Sequence, residues 1–499
     1  MRVLSKAGAC LAAAMSLASA GLGSAQAPAP TPFPAQTQAP PAAGTAAAQQ
    51  PEQAKPEAKR PSKRAPRPSR QEPASSGQGK FDEARQSRDG GPTRQETTFT
   101  ANVLGGYDDN LTAGLGSGSG ASPNAMVSGP TASVDGTLAY FRGNSLRSFS
   151  LDTTGALIGY PDNLEKPAPA GSVNVAIRTP LGRALTLGLS ERVSYEPLFN
   201  VLSSGSSTGP LPPDVMEPTP TNGLFERNSW SSNTGVSLEQ RWGRKDTTTL
   251  AYAYRTQEFI DDDYGDNAWH DVSAGYRRLL SAQVKAGADY RYRNGEYADS
   301  NDFVRPTIEH RVEGVAEFVG APSRRRSYTL LLAAGAGYLE SLNATGATFT
   351  SWLPVGRARL TFDVSQNWSV DGGYLRELSL LQGVTDDIYT TDTAFVTTKG
   401  MITRRTSLTI GATYSNWVTQ VASGVNDTLD VYGATLGFRV LITDSLAATA
   451  SYYYYYHRYS NPGSLPEGFP AEYDRQAVRA GITMFFPLAG STSRQVHRW

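Results

Sequence analysis

Cysteine, histidine and long apolar runs are all scarce in this chain: one cysteine and four histidines in 499 residues, and no apolar stretch of the length a membrane-spanning helix needs. The cysteine, Cys10, lies in a segment that reads as a secretory signal. Arg2 and Lys6 form its basic start, Ala7 to Leu17 a short apolar core, and Ala18-Ser19-Ala20 and Gly23-Ser24-Ala25 two small-residue cleavage sites. A lipoprotein reading of Ala7-Gly8-Ala9-Cys10 leaves no hydrophobic core ahead of the cysteine. Once residues 1–25 are removed no thiol remains. That excludes a disulfide framework, a thiolate nucleophile and a cysteine-ligated metal. The histidines His270, His310, His457 and His497 are the available bases for a hydrolase, and none stands in a motif with a nucleophile and an orienting group. We therefore assign no catalytic residue, cofactor or metal. Asp108-Asp109-Asn110 and Asp261-Asp262-Asp263 with Asp266 carry oxygens suited to a hard divalent cation, but the same residue types cap turns, which is their commoner use.

An excess of charge of either sign is also missing, since 46 basic residues balance 46 acidic ones. The balance is uneven along the chain. Residues 26–96 are rich in Ala, Pro, Gln and Ser, carry 11 basic and 7 acidic residues (11 − 7 = +4), and lack the apolar periodicity a core requires. The expectation is a disordered periplasmic arm. Its bland role is that of a solvated leader; its sharper role is a tether to an anionic periplasmic partner. No aromatic residue interleaves the basic run from Lys55 to Arg70 to stack on bases, which argues against nucleic acid.

Past residue 96 the chain has alternation in abundance. In Asp430 to Tyr456, Tyr432, Ala434, Leu436, Phe438 and Val440 share one face while Val431, Gly433, Thr435, Gly437 and Arg439 share the other. After a turn at Leu441 to Asp444 the pattern resumes with Leu446, Ala448, Ala450, Tyr452, Tyr454 and Tyr456 on one face. Strand side chains point alternately to opposite faces, so each run is a strand of about ten residues, the length of a tilted bilayer-spanning strand. Eighteen such strands are expected, from Thr97–Tyr107 to Arg475–Leu488. The Thr-rich faces of Tyr389 to Thr398 do not separate, and loss or merger of one hairpin would give sixteen.

The connections alternate as well. Those after odd strands are long and rich in Gly, Asp, Asn and Pro, as at Asp108 to Pro130 and Glu196 to Arg227; those after even strands are short, as at Gly243 to Asp246. Short periplasmic turns and longer extracellular loops give this rhythm in outer-membrane barrels, and it places both chain ends in the periplasm. Charge keeps to one face: Val284, Ala286, Ala288, Tyr290 and Tyr292 against Lys285, Asp289, Arg291 and Arg293, then Ile308, Val312, Ala316 and Phe318, with His310 an exception, against Glu309, Arg311, Glu313 and Glu317. A basic side chain facing lipid at mid-depth costs about 2–4 kcal/mol, so the charged face is expected to be wet. A soluble β-sandwich also alternates, but with shorter strands, bulkier aliphatics and no loop rhythm.

The opening run Phe99-Thr100-Ala101-Asn102-Val103-Leu104-Gly105-Gly106-Tyr107-Asp108-Asp109-Asn110 resembles the first strand of the β-barrel porin families of Gram-negative bacteria, and Gly481 to Leu488 resembles a closing strand. The chain departs from the usual ending by continuing to Trp499. The resemblance implies an outer-membrane channel and names no solute. The reading is thus all-β: a signal peptide at 1–25, a disordered basic arm at 26–96, a transmembrane antiparallel up-and-down barrel at 97–488 and a tail at 489–499. Its expected role is passive diffusion of small hydrophilic solutes across the lipid of the outer membrane. The alternatives are a non-conducting structural or export component, for instance in surface polysaccharide export, and an outer-membrane hydrolase. Candidate pore-lining residues are Lys285, Asp289, Arg291, Arg293, Glu309, Arg311, Glu313, Glu317, Arg357, Arg359, Arg439 and Arg479. The loop Glu196 to Arg227 is a candidate constriction, with Asp214, Glu217 and Glu226 facing the arginines.

Overall fold

The structure, a computed structural model, describes residues 94–109, 128–144, 146–159, 167–199, 225–260, 266–298, 304–323, 325–342, 348–380, 388–419, 427–461 and 471–489. The expected signal peptide, most of the expected arm and the end of the tail lie outside these residues. Eighteen strands run in chain order: β1 Arg94–Asp108, β2 Gly129–Gly143, β3 Ser148–Gly159, β4 Ala168–Pro180, β5 Leu185–Phe199, β6 Phe225–Trp242, β7 Asp246–Phe259, β8 Asn267–Ser281, β9 Val284–Ala298, β10 Val304–Ser323, β11 Arg326–Leu342, β12 Thr348–Asp363, β13 Trp368–Leu380, β14 Ile388–Met401, β15 Thr406–Thr419, β16 Thr428–Leu441, β17 Leu446–Tyr459 and β18 Glu472–Ala489. Every strand pairs antiparallel with its neighbours in sequence, and β1 closes the cylinder against β18, from Thr97 opposite Ala489 to Asp108 opposite Ala477. The fold is an eighteen-stranded up-and-down barrel. Closure leaves no sheet edge unpaired, which is how strands satisfy their backbone without water.

Expected and observed strands coincide in number, and most of their ends move outward. β1 starts at Arg94, inside the segment read as arm. The connection between β5 and β6 shortens to 200–224, because the ladder skips Pro197, which has no N–H to donate, and resumes at Leu198 opposite Glu226 and Phe199 opposite Phe225. The Thr-rich run is a full strand, β14: Thr393 hydrogen-bonds Ser415 at 2.9 Å and shares the inner face with Thr391 and Thr397, while Thr390 and Thr398 share the outward face with Ala394 and Val396, which is why the two faces do not separate by hydropathy. Connections after even strands have two to four residues and those after odd strands five to twenty-five. Gly243 takes φ = 76° in the three-residue turn from β6 to β7, a left-handed conformation that other residues adopt at a cost.

The outward face is apolar. Val103, Val134, Leu157, Leu250, Val312, Leu332, Leu360, Val396, Ile410, Leu436, Val478 and Ile482 are exposed on it. A band of tyrosines borders this belt toward the long connections. Their hydroxyls meet polar neighbours: Tyr252 with His270 at 2.8 Å, Tyr290 with His310 at 2.9 Å, and Tyr414, Tyr456 and Tyr374 donating to Asp430, Glu472 and Asp392. An amphipathic ring suits a boundary between apolar and wet surroundings. His310, the exception on the outward face of β10, belongs to this band, with its ring 5.1 Å from that of Tyr292. Within the belt, four residues below the Tyr195–Trp230 ring pair, Glu191 accepts from Ser232 at 3.1 Å and Thr234 at 2.5 Å.

Candidate functional site

Alternation turns every second residue of β7 to β13 inward, and those positions carry arginines and carboxylates that meet across neighbouring strands. On β8 and β9, Arg291 and Asp271 form a paired contact through Nε at 2.9 and 2.7 Å, and Arg293 lies 3.8 Å from the same carboxylate and 3.1 Å from Glu309 on β10. A second chain of contacts runs from Arg277 on β8 to Asp289 at 2.7 Å, from Asp289 to Arg357 on β12 at 2.9 Å, and from Arg357 to Glu313 at 3.6 Å. It continues through Arg311, 2.7 Å from Glu313 and 3.5 Å from Glu377 on β13. Arg359 and Thr361 hold Asp371, and Lys285 is 3.9 Å from Glu317.

The register explains these partners. Arg311 lies opposite Arg291, Glu309 opposite Arg293 and Glu313 opposite Asp289, so alternate signs sit one step apart on adjacent strands. Directly opposed or diagonal side chains are within reach of one another in an antiparallel pair. The centre of the network is withdrawn from water: Arg311, Glu313 and Glu377 are 3%, 5% and 2% exposed. Charges so deep are tolerated only as hydrogen-bonded pairs.

Arg439 and Arg479 stand on a different part of the inner face. Toward the long connections the inward side chains of β15 to β18 include an apolar and aromatic group, with Trp417, Leu429, Val431, Tyr455, Tyr459 and Tyr473 buried and His457 fully so, while Thr409, Thr413, Thr435, Thr449 and Ser451 stand further along the same faces. The His457 ring stacks on Tyr473 at 5.5 Å, and Arg479 lies 5.9 Å over the ring of Tyr453. Toward the short turns Leu441, Ala447 and Phe485 cluster. At the seam, Arg475 of β18 clasps Asp108 of β1 through Nε at 2.9 and 3.0 Å, and Asp108 is completely buried.

All twelve residues read as pore candidates occupy inward positions, ten of them on β9 to β12. Of the constriction candidates, Asp214 and Glu217 lie outside the described residues, and Glu226 takes its place in β6 opposite Leu198. His270 and His310 belong to the outward tyrosine band, His457 to the aromatic wall, and His497 lies outside the described residues. The acidic runs have structural partners: Asp109 accepts from the backbone N–H of Gln476 at 2.6 Å and Asp266 from that of Phe259 at 3.0 Å. Asn110 and residues 261–263 lie outside the described residues. Sequence reading passed over Arg255, Asp271, Arg277, Asp371 and Glu377, although each shares the inward face of its strand. The same period-two pattern would have found them. The Asp108–Arg475 pair, 367 residues apart in sequence, had no such signal.

No family model matches the sequence, and no curated protein matches it. Among solved structures the chain is similar to Acinetobacter baumannii OccAB2, with a TM-score of 0.40 and 10% identity over 79% of this chain and 98% of that one. Similar figures hold for the outer membrane protein OpdK from Pseudomonas aeruginosa, with a TM-score of 0.39 and 11% identity over 78% and 99% of the two chains. The FrpB iron transporter of Neisseria meningitidis gives 0.39 and 9% over 81% and 83%.

Proposed function

We propose that this protein is a Gram-negative outer-membrane channel through which small hydrophilic solutes diffuse passively, with both chain ends on the periplasmic side. The observation that carries the reading is the segregation of the wall: aliphatic side chains and a tyrosine band outside, a ladder of paired charges inside, on one closed cylinder. The outward belt matches lipid. The inward ladder has no role in lipid, because each of its charges would face hydrocarbon at several kcal/mol apiece if the register slipped by one. Cylinders of sixteen to eighteen strands are wide enough for an aqueous passage. Short turns at the periplasmic end and long connections at the cell surface support the orientation.

A second reading, a non-conducting structural or export component, draws on one observation: the inward charges at Arg311, Glu377 and Asp108 are almost without exposure. Planar-bilayer recording on the folded full-length protein separates the two. Discrete conductance steps are expected for the channel. A folded, inserted barrel without steps, at any voltage tested, would replace it with the structural reading.

A further inference from the structure

The rim formed by the short turns repeats one pattern. Leu181, Val364, Ile402 and Ile442 each open a four-residue turn, and each donates its backbone N–H to the carbonyl of the residue four positions on, at 2.8 or 2.9 Å. Each also continues, by period two, the outward row of its strand: Ile177 leads to Leu181, Leu360 to Val364, Val396 to Ile402 and Phe438 to Ile442. All four are exposed, as are Trp242 and Leu280 at the same ends of β6 and β8. An apolar fringe therefore carries the lipid-facing belt onto the turns. Cations stand beside it. Arg142 and Arg147 flank the β2–β3 turn, Arg183 lies in the β4–β5 turn, and Arg244 and Lys245 lie in the β6–β7 turn, all five exposed. Among the described residues no carboxylate pairs with any of them. The carboxylates of this rim are engaged elsewhere: Glu239 with Arg178 and Arg241, Asp246 with the Tyr276 hydroxyl and Asp363 with Ser327. Arg325 with Arg326, and Arg404 with Arg405, repeat the arrangement at two further turns. Consecutive turns are two strand spacings apart, about 10 Å, close to the Debye length at 0.1 M salt, so the charges of neighbouring turns reinforce one another.

We propose that this rim is a docking collar for anionic phospholipid headgroups of the leaflet at that end, a selectivity for lipid that goes beyond the channel reading and rests only on its membrane-spanning wall. A guanidinium fork fits two phosphate oxygens. Each basic residue held near an anionic leaflet is worth about fivefold in affinity. The fringe decides the class of partner. An acidic protein or polysaccharide in water gains nothing from aliphatic side chains flush with the belt, whereas a phospholipid sets its acyl chains directly below its phosphate and meets both features at once. Trp242, on the outward face beside Arg244, takes the boundary position that an indole favours.

The test is quenching of tryptophan fluorescence in the folded, full-length protein, reconstituted in mixed vesicles of phosphatidylglycerol and phosphatidylcholine with bromine carried on one lipid or the other. The part of the signal that Trp242→Phe removes reports on the rim. It should favour phosphatidylglycerol by about threefold or more, and the preference should shrink in high salt. Replacing Arg142, Arg147, Arg183, Arg244 and Lys245 together by Gln should abolish it. The double variant Arg244→Gln, Lys245→Gln should lower it about twofold or more, and serves if the larger one does not fold. Arg458→Gln, at the opposite end of β17, should leave it unchanged. No preference in the parent, an unchanged preference in either folded rim variant, or an equal fall with Arg458→Gln overturns the proposal. Charge-dependent retention on purified peptidoglycan without any lipid preference overturns it too, and assigns the rim to an acidic polymer. Because no current is read, a barrel that fails to conduct still answers the question.

Discussion

On β8, β9, β10, β12 and β13 inward arginines and carboxylates are in mutual contact; on β15 to β18 the buried inward side chains include Trp417, Leu429, Val431, Tyr455, His457 and Tyr473, with the rings of Tyr455, His457 and Tyr473 against one another. Both stretches obey the same alternation and present the same apolar exterior, so the difference lies wholly on the inner side. Paired charges keep a wall polar and fix side chains by direction, since a guanidinium fork accepts few geometries. Rings and aliphatics fix theirs by contact area and exclude water. A barrel wall can thus carry paired charges on one arc and a cluster of packed rings on another, with the sheet unchanged between them.

Five substitutions in four tests sharpen that contrast, in decreasing order of expected effect. Arg311→Ala leaves Glu313 and Glu377 buried without their cation, and a loss of about 3–5 kcal/mol is expected; the urea midpoint of the folded barrel, read by heat-modifiable gel mobility, checks it. An unchanged midpoint would mean that the charged arc is wetter than its burial implies. Leu436→Arg on the outward face of β16 should cost about 2–4 kcal/mol and impair insertion into vesicles, whereas Thr435→Arg on the inner face should insert normally. Equal tolerance of the two would overturn the assignment of inside and outside. Asp108→Asn weakens the clasp of Arg475 across the β1–β18 seam, and about 1–3 kcal/mol is expected on the same gel assay. The smallest effect belongs to Arg359→Ala, whose pair with Asp371 is about one-third exposed on the arginine side. Less than about 1 kcal/mol is expected, and a larger loss would show that the charged arc acts as one coupled network rather than as separate pairs.

Much of the inner wall was legible because neighbouring strands are also neighbours in sequence. Lys285 to Arg293 and Glu309 to Glu317 sit on consecutive strands, so alternation on each one was enough to bring Arg293 to Glu309 and Asp289 near Glu313. Threonine hid the pattern on β14, where hydroxyls replace charge on the inner face and periodicity of hydropathy fades. Proline blurred the end of β5, where the ladder passes over one residue and then continues.

What the sequence determined by itself is the set of faces and the order of strands: period two separates inward from outward side chains, and short connections make each strand pair with the next. Closure, and everything that depends on it, belongs to the tertiary structure. Asp108 meets Arg475 only because β1 meets β18, and Arg311 reaches Glu377 only because inward side chains of β10 and β13, which do not pair, converge on the inside of a curved sheet.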